Sequence, residues 1–307
     1  MSDVILETRN ITKKYKNAYA LDNVSITLKK NHIYGFIGEN GAGKSTFMKI
    51  IAGLIHQTSG DYTLMGATDK SEIENKRRNV GAMIESPYLY PSYTAWRNVE
   101  LQRILVGNPD KSATDKALEL VGLTEQKDKK AKKLSMGMKH RLGVAMAMVG
   151  NPQFLILDEP INGLDPKNIV EMRNMLKRIN KEKECTIFVS SHILTELYLL
   201  ATDFIFISKG KIIETSTHEE LEDKCSKYIL LRASNIPETV TILEKHFADT
   251  AYKVMADDTM RIYGRRDMMP ELSEHLMKAG IVVSELSEKE LSLEEYFIEI
   301  IGGEEHA

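Results

Sequence analysis

The stretch Gly38-Glu39-Asn40-Gly41-Ala42-Gly43-Lys44-Ser45-Thr46 places glycines, one lysine and two hydroxyls at the spacing of a loop that grips a polyphosphate. The glycines let the backbone turn successive N–H groups inward around a β-phosphate. Lys44 then reaches the β- and γ-phosphates, and Ser45, at a helix start, offers a hydroxyl to Mg2+. Gly38, Asn40, Gly41, Gly43, Lys44, Ser45 and Thr46 are the candidate contacts for a nucleoside triphosphate. In isolation the pattern also fits a plain glycine turn. Its flanks favour the phosphate loop: residues 34–37 are an apolar strand-like run, and residues 45–53 carry Phe47, Ile50 and Ile51 at helical spacing.

A second group of candidates closes another apolar run. Phe154-Leu155-Ile156-Leu157 is followed by Asp158, Glu159 and Pro160, so burying the strand brings both carboxylates to its exposed tip. Asp158 would hold the metal through its first water shell, and Glu159 would orient and deprotonate an attacking water. Alone, such an acidic pair reads as a turn or a helix start. Beside a phosphate loop it reads as catalytic.

These groups need a sheet to hold them. Strand patterns occur at 4–8, 24–28, 34–37, 154–157, 186–190 and 204–208, with helical patterns between the later ones. Residues 94–150 read as a helical insert, interrupted by Gly107, Pro109 and the polar segment 124–134. An α/β domain over 1–218 is expected, with a helical subdomain at about 86–150. Residues 219–307 follow as a small α+β unit: strands at 228–232, 252–255, 260–263 and 281–286, helices at 237–247, 267–279 and 292–301. No catalytic motif falls in that second unit.

Composition sets outer bounds. The 307 residues are enough for two domains with separate cores, and 42% hydrophobic with 28% charged residues is the balance of a globular protein. A formal charge of -3 argues against binding a nucleic-acid backbone. The basic run 127–133 reads as a solvated loop or helix end. Cys185 and Cys225 are too few for a disulfide framework and lack metal-site spacing, so reduced thiols are expected. The first residues lack an apolar signal core, and the longest apolar stretches, 33–37 and 142–150, are too short to span a bilayer. A cytoplasmic chain is expected, with any membrane function borrowed from another polypeptide.

Leu134-Ser135-Met136-Gly137-Met138, ahead of the acidic corner, resembles the LSGGQ signature of the ATP-binding cassette (ABC) ATPases. Ser135 and Gly137 are kept, and methionines replace the other glycine and the glutamine. The resemblance covers residues 4 to about 217 and implies a P-loop NTPase fold of ABC type. It implies that Ser135 and Gly137 close over the γ-phosphate bound to a second, head-to-tail subunit. It further implies that Tyr15 stacks on adenine, that Asp165 in Asn162-Gly163-Leu164-Asp165 organises the dimer seam, and that His192 contacts the γ-phosphate. The other histidines receive no role. Glu85 stands where the family usually has a glutamine that touches Mg2+ or the lytic water. A glutamate still offers a hard oxygen to the metal while repelling the γ-phosphate. With Met138 and the string Ser292-Leu293-Glu294-Glu295-Tyr296-Phe297, Glu85 makes the chain similar to bacterial bacitracin-export and lantibiotic-immunity ATPases. That subtype implies a homodimer on the cytoplasmic face of the membrane, paired with separate permease chains.

Two other readings share these motifs. One is a soluble ABC ATPase acting on ribosomes or DNA, although such proteins usually carry tandem cassettes or a long coiled-coil insert. The other is a nucleotide switch that regulates a partner without transport. Tyr88, Tyr90, Tyr93 and Trp96, with Pro87 and Pro91, suggest either a docking patch for a permease helix or simple packing of the insert.

Overall fold

The computed structural model describes residues 3–16, 18–225, 227–248, 250–255, 259–263 and 266–302. The chain divides into two compact units, Met1–His218 and Glu219–Ala307.

The first unit opens with β1 (Val4–Tyr15), β2 (Ala18–Val24), β3 (Thr27–Lys29) and β4 (Ile33–Ile37), then α1 (Lys44–Ile51), β5 (Ser59–Leu64), α2 (Lys70–Lys76) and β6 (Val80–Met83). Three helices of the insert follow, α3 (Ala95–Leu105), α4 (Ala113–Leu120) and α5 (Met136–Met148). Then come β7 (Phe154–Leu157), α6 (Pro166–Lys183), β8 (Thr186–Ser191), α7 (Leu194–Leu200), β9 (Asp203–Ser208) and β10 (Lys211–Thr217), and α8 (His218–Lys224) opens the second unit from Glu219 onward. An antiparallel sheet pairs β1 with β2, β3 and β5. The expected strand at 24–28 is instead the end of β2 and the start of β3. Between them the Thr8 hydroxyl accepts the Ile26 N–H at 2.9 Å, so a side chain takes over the ladder's bond.

The larger sheet has the order β10-β9-β4-β8-β7-β6, parallel except for β10. All residues of β4, β7 and β8 are buried, which is why these strands read as unbroken apolar runs. Beneath the glycine loop, Phe47 of α1 packs on the sheet against Phe36 and Phe188. The three ring centroids lie 5.0–6.0 Å apart, and such pairs add about 0.5–1.5 kcal/mol each beyond their buried area. This cluster gives α1 a fixed seat on the strands that carry the chemistry.

The second unit contains β11 (Lys227–Ala233), α9 (Ile236–His246), β12 (Ala251–Val254), β13 (Thr259–Tyr263), α10 (Met269–Lys278), β14 (Val283–Glu290) and α11 (Leu293–Gly302). Its sheet, β12-β13-β11-β14, is antiparallel throughout, so β11 to β14 form a ferredoxin-like βαββαβ unit. Alternate strand residues Ile229, Leu231, Met260 and Ile262 meet Leu243 of α9 and Leu272 and Leu276 of α10 in its core.

Candidate active site

Three neighbouring strands deliver the candidate groups to one edge of the sheet. β4 is parallel to β8 with Ile37 opposite Ser191, and β8 is parallel to β7 with Val189 opposite Leu157. Their carboxyl ends therefore lie side by side. The glycine loop leaves β4, Asp158 and Glu159 leave β7, and Ser190 and Ser191 end β8 just before His192. β6 lies beyond β7, Met83 opposite Leu157, and carries Glu85 to the same edge. Open α/β sheets build their sites here because every parallel strand ends on that side.

The glycine loop is shaped by close approach. Gly43 has φ of 111°, and a Cβ there would lie 2.5 Å from the Ala20 carbonyl oxygen. α1 starts at Lys44 without a side-chain cap, so its first N–H groups remain available to an anion. The Lys44 side chain is buried, and its Nζ donates to the carbonyls of Gly38 at 2.6 Å and Glu39 at 3.1 Å. It also lies 3.7 Å from Glu159 Oε1. Ser45 and Thr46 follow in the first turn of α1, and Asn40 and Gly41 are exposed at the loop tip.

The acidic corner is held by a residue that motif spacing did not single out. Ser190 is fully buried at the end of β8; its hydroxyl donates to Asp158 Oδ1 at 2.6 Å and accepts the Glu159 N–H at 3.0 Å. One hydroxyl thus orients both carboxylate residues. The signal for it was present, since a serine pair directly precedes His192. Glu159 has φ of 50°, a left-handed conformation costing about 1–3 kcal/mol for a non-glycine residue. Its Oε2 lies 2.9 Å from His192 Nδ1. Lys44, Asp158, Glu159 and His192 are therefore brought together.

Glu85, also left-handed with φ of 61°, turns to α1 instead: its Oε1 accepts a 2.6 Å hydrogen bond from Lys49. That bond holds the Glu85 carboxyl below its usual range and raises the Lys49 ammonium. Lys49 sits one helical turn after Ser45, a pairing invisible in either motif alone. The oxygen donors at this edge, the Ser45 hydroxyl and the Asp158 carboxylate with Glu85 nearby in the fold, suit Mg2+, a hard cation that prefers oxygen.

Ser135, Gly137 and Asp165 form a second group, which no hydrogen bond joins to Lys44 or Asp158 among the described residues. Ser135 caps α5 by accepting the Met138 N–H at 3.3 Å. Asp165 caps α6 by accepting the Asn168 N–H at 3.0 Å and its side-chain amide at 2.6 Å. The Asn168 bonds hold the Asp165 carboxyl below its usual range. Asn168 connects the two caps spatially, since a Cβ on Gly137 would come within 2.3 Å of its Oδ1.

Tyr15 ends β1 opposite Ala18, half exposed, with the Lys13 ammonium 5.1 Å above its ring. The aromatic patch divides. Tyr88 and Tyr90 line a groove of about 450 Å³ with Leu54, Leu105, Val106 and Met146. Tyr93 packs on Tyr90 with ring centroids 5.5 Å apart, and Trp96 donates to Asp115 of α4 at 3.4 Å.

A family model described as ABC transporter matches residues 21–162. The bacitracin transport ATP-binding protein BcrA of Bacillus licheniformis is 38% identical over 97% of this chain and 98% of its own length. This chain belongs to the ABC transporter ATP-binding proteins. The lantibiotic transport ATP-binding protein SrtF of Streptococcus pyogenes is 40% identical over 74% of this chain and 98% of its own. The dimeric, post-hydrolysis structure of the ATP-binding cassette MJ0796 bound to ADP and Pi superimposes with a TM-score of 0.62 at 27% identity, covering 69% of this chain and 98% of that one. As an ABC ATP-binding protein, the chain binds and hydrolyses ATP. Among the described residues of this ABC subunit, no helix is long and apolar enough to cross a membrane.

Proposed function

We propose that this ABC subunit powers separate permease chains that export peptide antibiotics, hydrolysing ATP between two copies of itself at the cytoplasmic face of the membrane. The observation that carries the hydrolytic half is the Ser190 bridge. It sets Glu159 at the same strand edge as Lys44, Asp158 and His192. The export half rests on the bacitracin and lantibiotic relatives. The Tyr88–Tyr90 groove is the proposed seat for a permease helix.

In this reading Gly38, Asn40, Gly41, Gly43 and Thr46 cradle the phosphates with backbone N–H groups, and Lys44 exchanges its loop carbonyls for the β- and γ-phosphate oxygens. Charge-assisted bonds to phosphate are stronger than those to neutral carbonyls. Ser45 and Asp158, with Glu85 nearby, would hold Mg2+. Bound there, Mg2+ supplies charge neutralisation for the phosphate oxygens. Glu159 orients the attacking water and takes its proton. His192 holds the Glu159 carboxylate by Nδ1 and contacts the γ-phosphate. Tyr15 offers its ring to adenine. Ser135 and Gly137, at the N-terminus of α5, close over the nucleotide of the second copy, and Asp165 lies at the seam. ATP drives closure only in so far as it binds the closed pair better than the open one.

The decisive experiment is Glu159→Gln with ATP, followed by light scattering. A trapped dimer with negligible turnover is expected, and a monomer at saturating ATP would sink the two-copy site. For export, bacterial cells that lose this chain should become more sensitive to bacitracin or a lantibiotic. Wild type should restore protection and Lys44→Ala should not. Unchanged sensitivity to both classes would leave an ATPase with a different cargo or a non-transport switch.

A further inference from the structure

Residues 159–165 run from the proposed base to the proposed seam residue, and α5 begins at the residues proposed to meet the second copy's nucleotide. A buried polar bond joins the two. His140 is 6% exposed, and its Nδ1 lies 2.7 Å from the carbonyl oxygen of Pro160, the residue after Glu159. A ring nitrogen at that distance from a carbonyl must carry the proton, so Nδ1–H donates. Two packing contacts parallel the bond. Gly137 fits against Asn168 with no room for a Cβ, and Met136 Cε lies 3.9 Å from the position a Gly163 Cβ would take. At its other end the segment is pinned to β8 through the Glu159 N–H on Ser190. The turn that carries Glu159 is thus clamped between α5 and β8, and the clamp on the α5 side is a directional hydrogen bond in a buried place.

We propose that His140 is a positioning residue that couples the N-terminus of α5 to Glu159. When Ser135 and Gly137 engage the γ-phosphate of the second copy, the displacement of α5 is passed through Nδ1–H to the Pro160 carbonyl. That sets the Glu159 carboxylate for its own nucleotide. Occupancy of one site thereby licenses hydrolysis at the other. The inference rests on the two-copy reading above.

His140→Leu keeps apolar bulk and removes the donor, whereas His140→Gln returns a donor on a flexible stem. His140→Leu should lower kcat about tenfold while ATP affinity, read with a fluorescent analogue, stays within about twofold of wild type. The Hill coefficient for ATP should fall toward one, and His140→Gln should recover most of kcat. Unchanged kcat and cooperativity in His140→Leu would overturn the coupling. So would parallel losses of kcat, affinity and melting temperature that Gln does not rescue. Should the Leu variant fail to fold, 15N-histidine NMR on the Glu159→Gln background decides. The His140 Nδ1–H resonance should shift between the nucleotide-free and ATP-trapped states, and an unmoved resonance would overturn the proposal. Glu159→Gln also separates the two failures. If it stays monomeric at saturating ATP, the two-copy reading itself is wrong; if it forms the trapped dimer while His140→Leu is normal, only the coupling is.

Discussion

The two units of this chain have similar materials and opposite uses of polarity. In Met1–His218 the strand ends bury Lys44, Asp158 and Ser190, and Glu85 and Glu159 stand in left-handed backbone. In Glu219–Ala307 the buried polar side chains among the described residues are Thr239 and Thr259; Thr239 bonds its own helix at the Asn235 carbonyl. The charges there pair with one another, locally in Lys278 with Glu274 and Lys289 with Glu285, and across the unit in Arg261 with Glu299. Holding charge out of water costs several kcal/mol per ion unless a partner offsets it. A fold keeps such groups where a ligand will return. The second unit holds a shape, while the first holds a site. The 98% coverage of SrtF by 74% of this chain agrees, since that relative has little length beyond one cassette.

The contrast is most sharply tested at Lys44. Lys44→Ala should lower ATP turnover by at least about 100-fold, the scale for losing a preorganised charge from a transition state, as measured by phosphate release. Near-normal release would remove the site from the first unit. In the second unit, Leu231 is fully buried in the ferredoxin-like core. Leu231→Ala should destabilise that unit by about 2–5 kcal/mol, seen as faster hydrogen exchange across 227–290, with ATP affinity unaltered. A matching fall in affinity would erase the division of labour.

A smaller effect is expected where polarity serves positioning. Ser190→Ala removes the bridge between Asp158 and Glu159 and should lower kcat about tenfold, or about 1.4 kcal/mol, with KM little changed. A change confined to KM would recast Ser190 as a binding residue. The smallest effect separates structural from catalytic charge within the first unit. Hydrogen bonds from Arg103 and then Thr114 lower the Glu100 carboxyl from 4.5 to about 2. Because its folded value is depressed, the pair's contribution is complete above about pH 4.5 and is lost as pH falls toward 2. Acid unfolding curves of wild type and Glu100→Gln should therefore converge over that window. Curves that stay parallel would mean that the pair adds nothing to stability.

Much of the fold was legible in advance, for identifiable reasons. β4, β7 and β8 are buried on both faces, so their apolar runs stand out without periodicity. The second unit alternates inward Ile229 and Leu231 with less buried neighbours, which is a clear strand pattern. β6, by contrast, has four residues, Val80-Gly81-Ala82-Met83, with too little bulk to mark a strand, and its partner β7 is about seventy residues further on. Thr27 and Leu28 read as one strand with Val24 because the side-chain bond from Thr8 leaves no trace in local pattern.

The site divides in the same way. Contiguous chemistry, the glycine loop ending in Lys44 and the Asp158, Glu159 corner, is determined by the sequence, because a backbone cradle and a strand-tip acid pair need their residues next to one another. Only the tertiary structure decides that Ser190 bridges that corner from 32 positions away, that Lys49 captures Glu85 across 36, and that His140 reaches the Pro160 carbonyl across 20. Those bonds depend on strand order, register and the seat of α5. Such features arise from how separate segments share one core, and no local run of residues contains them.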